Sequence, residues 1–250
     1  MIQIHTLESW CNQQLQPENF SDYCPNGIQV EGSREIQRLA SGVTACQALL
    51  DAAIEWDADA ILVHHGYFWK GEPQPLTGIK GKRIRTLMKN DMTLFAYHLP
   101  LDAHPLFGNN AQLGKRLQLR NAAAIDSSDG LLWSAGFEHP VTPRQLSEII
   151  TQALEREPLH ITAGKQQIQR IGWCTGGAQH YIEQAADLGL DAFISGEISE
   201  STVHTARERN IHYYAAGHHA SERYGVQALG DAIASEFGIS HRYIEIDNPA

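Results

Sequence analysis

Thirty-one consecutive residues from Ile36, IQRLASGVTACQALLDAAIEWDADAILVHHG, align without a gap with the stretch from Ile168, IQRIGWCTGGAQHYIEQAADLGLDAFISGEI. A chain that carries one pattern twice folds as two related modules, so this duplication limits the architecture more than any other feature. Each copy reads as a strand, a turn of small residues, a helix (Gln47 to Trp56, then Tyr181 to Leu188) and a second apolar strand beginning at Asp59 or Asp191. Further on, KRIRTLMKNDMTLFAYH from Lys82 and ESTVHTARERNIHYYAAGH from Glu200 read as helix then strand, which brings His98 and His218 to corresponding strand ends. Each half is thus an expected βαβαβ unit, and the fold class is α/β, two pseudo-repeated modules with largely parallel sheets. An amphipathic helix precedes each unit, HTLESWCNQQL near the start and TPRQLSEIITQAL from Thr142, with Pro143 in its first turn.

The stretch from Ala122 to Gly164 is turn-rich and the least regular, so the boundary between halves is expected near residue 123. This gives 1–123, carrying His64, His65 and Asp102, and 124–250, carrying His218 and Glu222, with a metal site between the halves. No apolar run approaches the ~18 residues of a spanning helix. The N-terminal MIQIHTLESWCNQQ lacks the basic and apolar regions of a signal peptide, so a cytoplasmic address is expected. Cys11, Cys24, Cys46 and Cys174 form no CxxC pair and are expected as reduced, mostly buried small hydrophobes. The formal charge of −10 opposes a phosphate backbone, which makes broad nucleic-acid binding an unfavoured reading.

The chain contains 13 histidines, and they gather where topology concentrates ligands. ILVHHG, LFAYHLPLDAH and HYYAAGHHASE all sit at carboxyl ends of expected parallel strands, the edge at which turns bring side chains together over one crevice. His218 and Glu222 are four residues apart on one helix face, where a metal can bridge them. His64 and His65 are adjacent, and a turn starting at Gly66 swings both toward neighbouring positions. Asp102, in a loop stiffened by Pro100, supplies a hard oxygen. Three imidazoles and two carboxylates suit two divalent ions per subunit, with zinc, manganese, iron or nickel all compatible, and leave coordination positions open to water.

Each residue also has a plainer reading. A single histidine is usually a satisfied core or surface group, and it is the coincidence of three clusters on one sheet edge that favours metal. His219 is expected to face away from His218. His98 and His104 read as outer groups, with His98 able to orient a carboxylate or assist proton transfer. Glu197 occupies the repeat position of His65 and is either a candidate base or a helix N-terminal carboxylate. CTGGAQ can cradle an anion but lacks the Lys-Ser or Lys-Thr of a P-loop. Lys70, Lys80, Lys82, Arg83, Arg85 and Lys89 bind substrate phosphates or form a solvated face. Trp133 and Phe137 pack either the core or a subunit contact.

The motifs SDYCPNGIQVEG, HHGYFWKGE, YHLPLDAHP, GNNAQL, WCTGGAQ, ISGEISE and AAGHHASER resemble those of the Nif-three-like family, in particular its YbgI-like members, often labelled GTP cyclohydrolase I type 2 homologues. The resemblance covers nearly the whole chain. It implies the Nif-three-like fold, a dinuclear metal centre on His64, His65, Asp102, His218 and Glu222 with Glu222 bridging, and a ring-shaped homohexamer.

Two functions compete, and a third, a ring that binds nucleic acid through its pore, faces the −10 charge and needs the stretch from Lys80 to Lys89 to line it. In the first, a metal-bridging hydroxide attacks a nucleotide, either at the purine imidazole ring or at a phosphoester, and Glu222, Glu197 and His98 are the candidates for catalytic roles. In the second, the site stores, delivers or senses metal, or locks a scaffold, with no turnover.

Overall fold

The duplicated pattern sets both sheets. The computed structural model describes residues 1–126 and 128–250. The first repeat runs α1 (Ile4–Leu15), β1 (Gly27–Val30), β2 (Arg38–Thr44), α2 (Gln47–Glu55), β3 (Ala60–His65), α3 (Gly78–Lys89) and β4 (Thr93–Ala96). Then come α4 (Leu99–Ala103), α5 (Asn109–Arg116), β5 (Arg120–Ala124) and β6 (Trp133–Val141). The second repeat is α6 (Pro143–Leu154), β7 (Leu159–Ile161), β8 (Ile168–Cys174), α7 (Ile182–Asp187), β9 (Ala192–Ser195), α8 (Glu200–Glu208) and β10 (His212–Ala215). The long helix α9 (His218–Phe237) and β11 (Ser240–Tyr243) follow.

The first sheet has the order β1-β4-β3-β2-β11 and the second β5-β6-β8-β9-β10-β7. Within them β1-β4-β3-β2 matches β7-β10-β9-β8, so the repeat extends beyond the expected βαβαβ core to an antiparallel strand and its preceding helix. Parallel pairing runs through β2, β3 and β4 and again through β8, β9 and β10, as the two repeated modules require. The additional strands β5 and β6 are antiparallel to their neighbours. They lie in the stretch expected to be least regular: β6 alternates buried and half-buried residues only over its first half, and so carries a weak strand signal.

Two groups of contacts divide the chain. One unit comprises 1–101 and 225–247, the other 102–224 and 248–250. The expected boundary near residue 123 falls inside β5, which is hydrogen-bonded to β6 in the second sheet. The units therefore follow sheet membership, not the partition 1–123 and 124–250. Asp102 accordingly groups with His218 and Glu222, not with His64 and His65.

In the first unit, Leu49, Leu50 and Ala53 of α2 and Ile84 and Leu87 of α3 pack on Ile61, Val63 and Leu94. In the second, α6 lays Leu146, Ile150 and Leu154 against Ile171, Trp173 and Tyr214, and a separate cluster joins Ala185 and Ala206 to Phe193 and Tyr213. Residues adjacent along these strands thus enter different apolar clusters, which is why parallel strands read as continuous apolar runs. Helix α6 begins where the sequence places it, with Pro143 at its first position and a Thr142–Gln145 capping box satisfying exposed amides. Trp133 belongs to the core, with Phe137 packed against it. No helix among the described residues is long and apolar enough to cross a membrane.

One polar chain in the first unit has the form of a nucleophile triad. Ser41 Oγ lies 2.8 Å from His241 Nε2, and His241 Nδ1 donates to Asp231 at 2.7 Å. Ser41, however, is 0% exposed, so no substrate reaches its hydroxyl. The chain fastens β11 to β2, where Ser41 pairs with Tyr243. A Cβ at Gly230 would stand 2.2 Å from His241 Nε2, so the close approach of α9 to this imidazole needs glycine.

Candidate metal centre

The first unit collects three imidazoles. His64 and His65 end β3, and His98 follows β4. One ring nitrogen from each of the three lies within 4.8 Å of those of the other two, and the ring centroids are 4.6 to 5.8 Å apart. His64 is buried, and its Nδ1 donates to the Tyr97 carbonyl at 2.9 Å, which fixes the tautomer with the lone pair on Nε2. The parallel register sets Thr44 beside His65, and Thr44 Oγ1 lies 3.1 Å from His65 Nδ1. At Gly66 a Cβ would collide with Gln29 Oε1 at 2.1 Å, so glycine is what allows the chain to turn away after the histidine pair.

His98 has a more elaborate support. Its Nδ1 is 2.7 Å from Asp22 Oδ1, and its backbone amide donates to Asn26 Oδ1 at 2.7 Å. Asp22 also accepts from the amides of Tyr23 and Leu99 and from Asn26 Nδ2. Burial alone would raise the Asp22 carboxyl, but the bonds from His98 and Asn26 outweigh it and hold the group at about 2. Asp22, Cys24 and His98 are also close enough to share a cation. That group is a poor ligand set, since four hydrogen bonds occupy the carboxylate and burial pushes the Cys24 thiol up to about 12.

The second unit collects carboxylates around His218. Asp102, on α4, is buried, and its Oδ1 accepts from Asn109 Nδ2 at 2.8 Å and from Thr175 Oγ1 at 3.3 Å. Asn110 donates to the Asp102 carbonyl and accepts the Thr175 amide. Both asparagines are fully buried. At the start of α9, His218 Nδ1 is 2.7 Å from Glu197 Oε1, and Nε2 is 3.1 Å from Glu222 Oε2. Burial of His218 disfavours its charge, but hydrogen bonding and attraction from Glu222, then from Glu197, outweigh it and raise the imidazole to about 9. Glu197, the repeat counterpart of His65, thus touches an imidazole instead of providing one.

The glycine turn after β8 serves this carboxylate. Gly176 has φ +69°, and a Cβ there would stand 2.0 Å from Glu222 Oε1 and 3.2 Å from His218 Nε2. Its amide donates to Ser221 Oγ, and its carbonyl accepts from Gly196 and Glu197. CTGGAQ is therefore occupied in admitting the Glu222 side chain, which departs from the anion-cradle reading. Burial, and then the charges of Asp102 and Glu222, push the Cys174 thiol well up, so it stays protonated.

The other singled-out residues lie apart from these clusters. His104 Nδ1 accepts the amides of Leu106 and Phe107 and its ring stacks on Phe107, a local turn device. The His219 amide donates to the Ala250 carbonyl, and His219 joins none of the ligand groups found among the described residues. Lys80, on α3, is tied to the preceding loop by Glu72 and the Pro73 carbonyl, while Lys82, Arg85 and Lys89 are exposed along the same helix, as a solvated face would be. Asp22, Asn26, Asn109, Asn110 and Thr175 escaped the residue-by-residue reading. Their only sequence trace is their place in SDYCPNGIQVEG, GNNAQL and WCTGGAQ.

A duplicated α/β fold that gathers imidazoles and carboxylates into groups able to hold a metal ion defines the class of protein. The chain belongs to the Duf34/NIF3 (NGG1p interacting factor 3) family, whose profile matches residues 2–249. It is 55% identical over 250 residues to a "GTP cyclohydrolase 1 type 2 homolog" of Allochromatium vinosum, covering 100% of this chain and 98% of that one. Among solved structures it is similar to the protein ybgI, described as of unknown function, with 46% identity, a TM-score of 0.95 and full coverage of both chains. It also resembles TTHA1606 from Thermus thermophilus, with 28% identity, a TM-score of 0.88, and coverage of 98% of this chain and 99% of that one.

Proposed function

We propose that His64, His65, Asp102, His218 and Glu222 are the protein ligands of a dinuclear divalent-metal centre, with Glu222 bridging, in a hydrolase acting on a nucleotide or phosphoester. What supports this is the common preparation of the donors. His64 gives Nδ1 to a carbonyl and His218 gives Nδ1 to a carboxylate, so each offers Nε2, while Asp102 and Glu222 are buried carboxylates held by fixed neighbours. The mixed nitrogen and oxygen set suits zinc, manganese, iron or nickel. Two such ions, when bound, act as Lewis acids that polarise a substrate oxygen and lower the pKa of water toward neutrality.

The remaining steps belong to the chain's own residues. Glu197 orients His218, Asn109 and Thr175 orient Asp102, and the Gly176 turn leaves space for Glu222. A cation held here would need the Nε2 lone pair, so it would displace the proton that Glu222 and Glu197 favour on His218. The printed name of the relatives supports a nucleotide substrate. A homohexamer, which the family resemblance implies, is part of this reading, and sedimentation at six chain masses is its check.

The test is elemental analysis of protein purified without added metal, together with hydrolysis of a nucleotide and phosphoester panel by wild type and Glu222→Ala. Two ions per chain, with turnover lost in the variant, are expected. A fully loaded wild type inert toward the panel overturns the hydrolase and favours metal storage, delivery or scaffolding.

A further inference from the structure

We propose that Asp22 and Asn26 are positioning residues that hold His98 as its Nδ1–H tautomer, so that His98 Nε2 is the acceptor that orients the attacking water; this rests on the hydrolase reading above.

The duplication isolates the device. Residues 16–26 connect α1 to β1, whereas only residues 155–158 connect α6 to β7. The seven additional residues of the first connection accompany a loop that has no counterpart in the second repeat, and that loop carries both Asp22 and Asn26. It grips His98 at three points: Asn26 Oδ1 accepts its amide, Asp22 Oδ2 accepts the next amide, from Leu99, and Asp22 Oδ1 accepts the ring Nδ1–H. An ionised carboxylate only accepts hydrogen bonds, so the imidazole donates Nδ1–H in that contact, and in the neutral ring the lone pair lies on Nε2.

Asp22 is itself rigid. Its side chain is 4% exposed, and its two oxygens accept four hydrogen bonds within the first unit. The ring it holds meets the edge of Trp69 at a centroid distance of 4.9 Å and an angle of 84°. With Nδ1 engaged by Asp22, Nε2 is the nitrogen that His98 offers to the group it forms with His64 and His65. A loop this specific, added to one copy of a repeat and bonded to one histidine, is more than a connection needs.

The experiment has two arms. Neutron diffraction from wild-type crystals is expected to show a deuteron on His98 Nδ1 and none on Nε2; a deuteron on Nε2, whether or not Nδ1 also carries one, overturns the proposal. Steady-state kinetics of the metal-loaded Asp22→Asn variant are expected to show kcat lowered about 10- to 100-fold with KM little changed, and partial recovery in Asp22→Glu. Unchanged kcat in Asp22→Asn overturns it. Asn26→Ala serves if Asp22→Asn does not fold, with a smaller fall in kcat expected and none overturning. A wild type without turnover refutes the hydrolase reading instead, and the diffraction arm still decides the tautomer.

Discussion

Replacing Gly176 by alanine separates backbone strain from the space that the Glu222 carboxylate requires. Two penalties apply. Gly176 has φ +69°, and a left-handed conformation costs an alanine on the order of 1–2 kcal/mol. In addition the new Cβ would stand 2.0 Å from Glu222 Oε1, so the carboxylate must move, and overpacking of this kind costs roughly 1–3 kcal/mol. Gly189 provides the control, since its φ is +66° and a Cβ there meets nothing within 4 Å. Gly189→Ala should therefore carry the strain alone. At about 2–4 °C per kcal/mol for a chain of this size, it should lower Tm by roughly 2–8 °C and leave metal content at the wild-type value. Gly176→Ala should fall further in Tm and lose bound metal, because the displaced carboxylate is a proposed ligand. Calorimetry and elemental analysis of the two variants side by side provide the assay. If both show the same Tm and the same metal content, the Gly176 turn does not set the position of Glu222, and the argument from its geometry fails.

Two further outcomes concern stability. The Asp22 carboxyl is depressed to about 2 from 3.8, so its stabilisation is present above pH 3.8 and is lost as pH falls through 2. A shift of this size corresponds to about 2 kcal/mol. The difference in denaturant-measured stability between wild type and Asp22→Asn should therefore shrink by about that amount between pH 6 and pH 2; a pH-independent difference would contradict it. Ser41→Ala should cost about 1–3 kcal/mol by leaving the buried His241 Nε2 without its donor, while metal content and any turnover stay at wild-type values. Loss of turnover in that well-folded variant would instead give Ser41 a chemical role.

The modules were legible because their signals are local. Apolar strands followed by amphipathic helices recur at fixed spacing, and the duplication confirms each assignment with its counterpart. His64, His65 and His218 were visible as polar residues at strand ends, whereas Asp102, expected in a loop stiffened by Pro100, sits on the short helix α4. The supports were not. Asp22 and His98 are separated by 76 residues, and nothing in SDYCPNG shows which side chain its carboxylate meets. Asn109 and Asn110 carried no signal beyond the motif GNNAQL, yet both are buried and hold Asp102 and the Thr175 amide, a role that only tertiary packing creates. Glu197 was singled out as the repeat counterpart of His65, but its contact with His218 depends on the path of α9. The irregular reading of 122–164 failed at β6, whose strand identity comes from pairing with β8, not from its own pattern.

The fastening of β11 to β2 joins positions 200 residues apart, which sets an order of events during synthesis. Strands β2, β3 and β4 leave the ribosome early, while β11, which covers the outer edge of β2, follows only after the second repeat. At about 5–20 residues per second, that edge stays open for roughly 10–40 s. An unpaired strand edge is a template for pairing with other chains, so the nascent first module needs protection throughout that interval. The module begun first is finished last, and its survival in the cell depends on translation speed and chaperone supply as well as on native contacts.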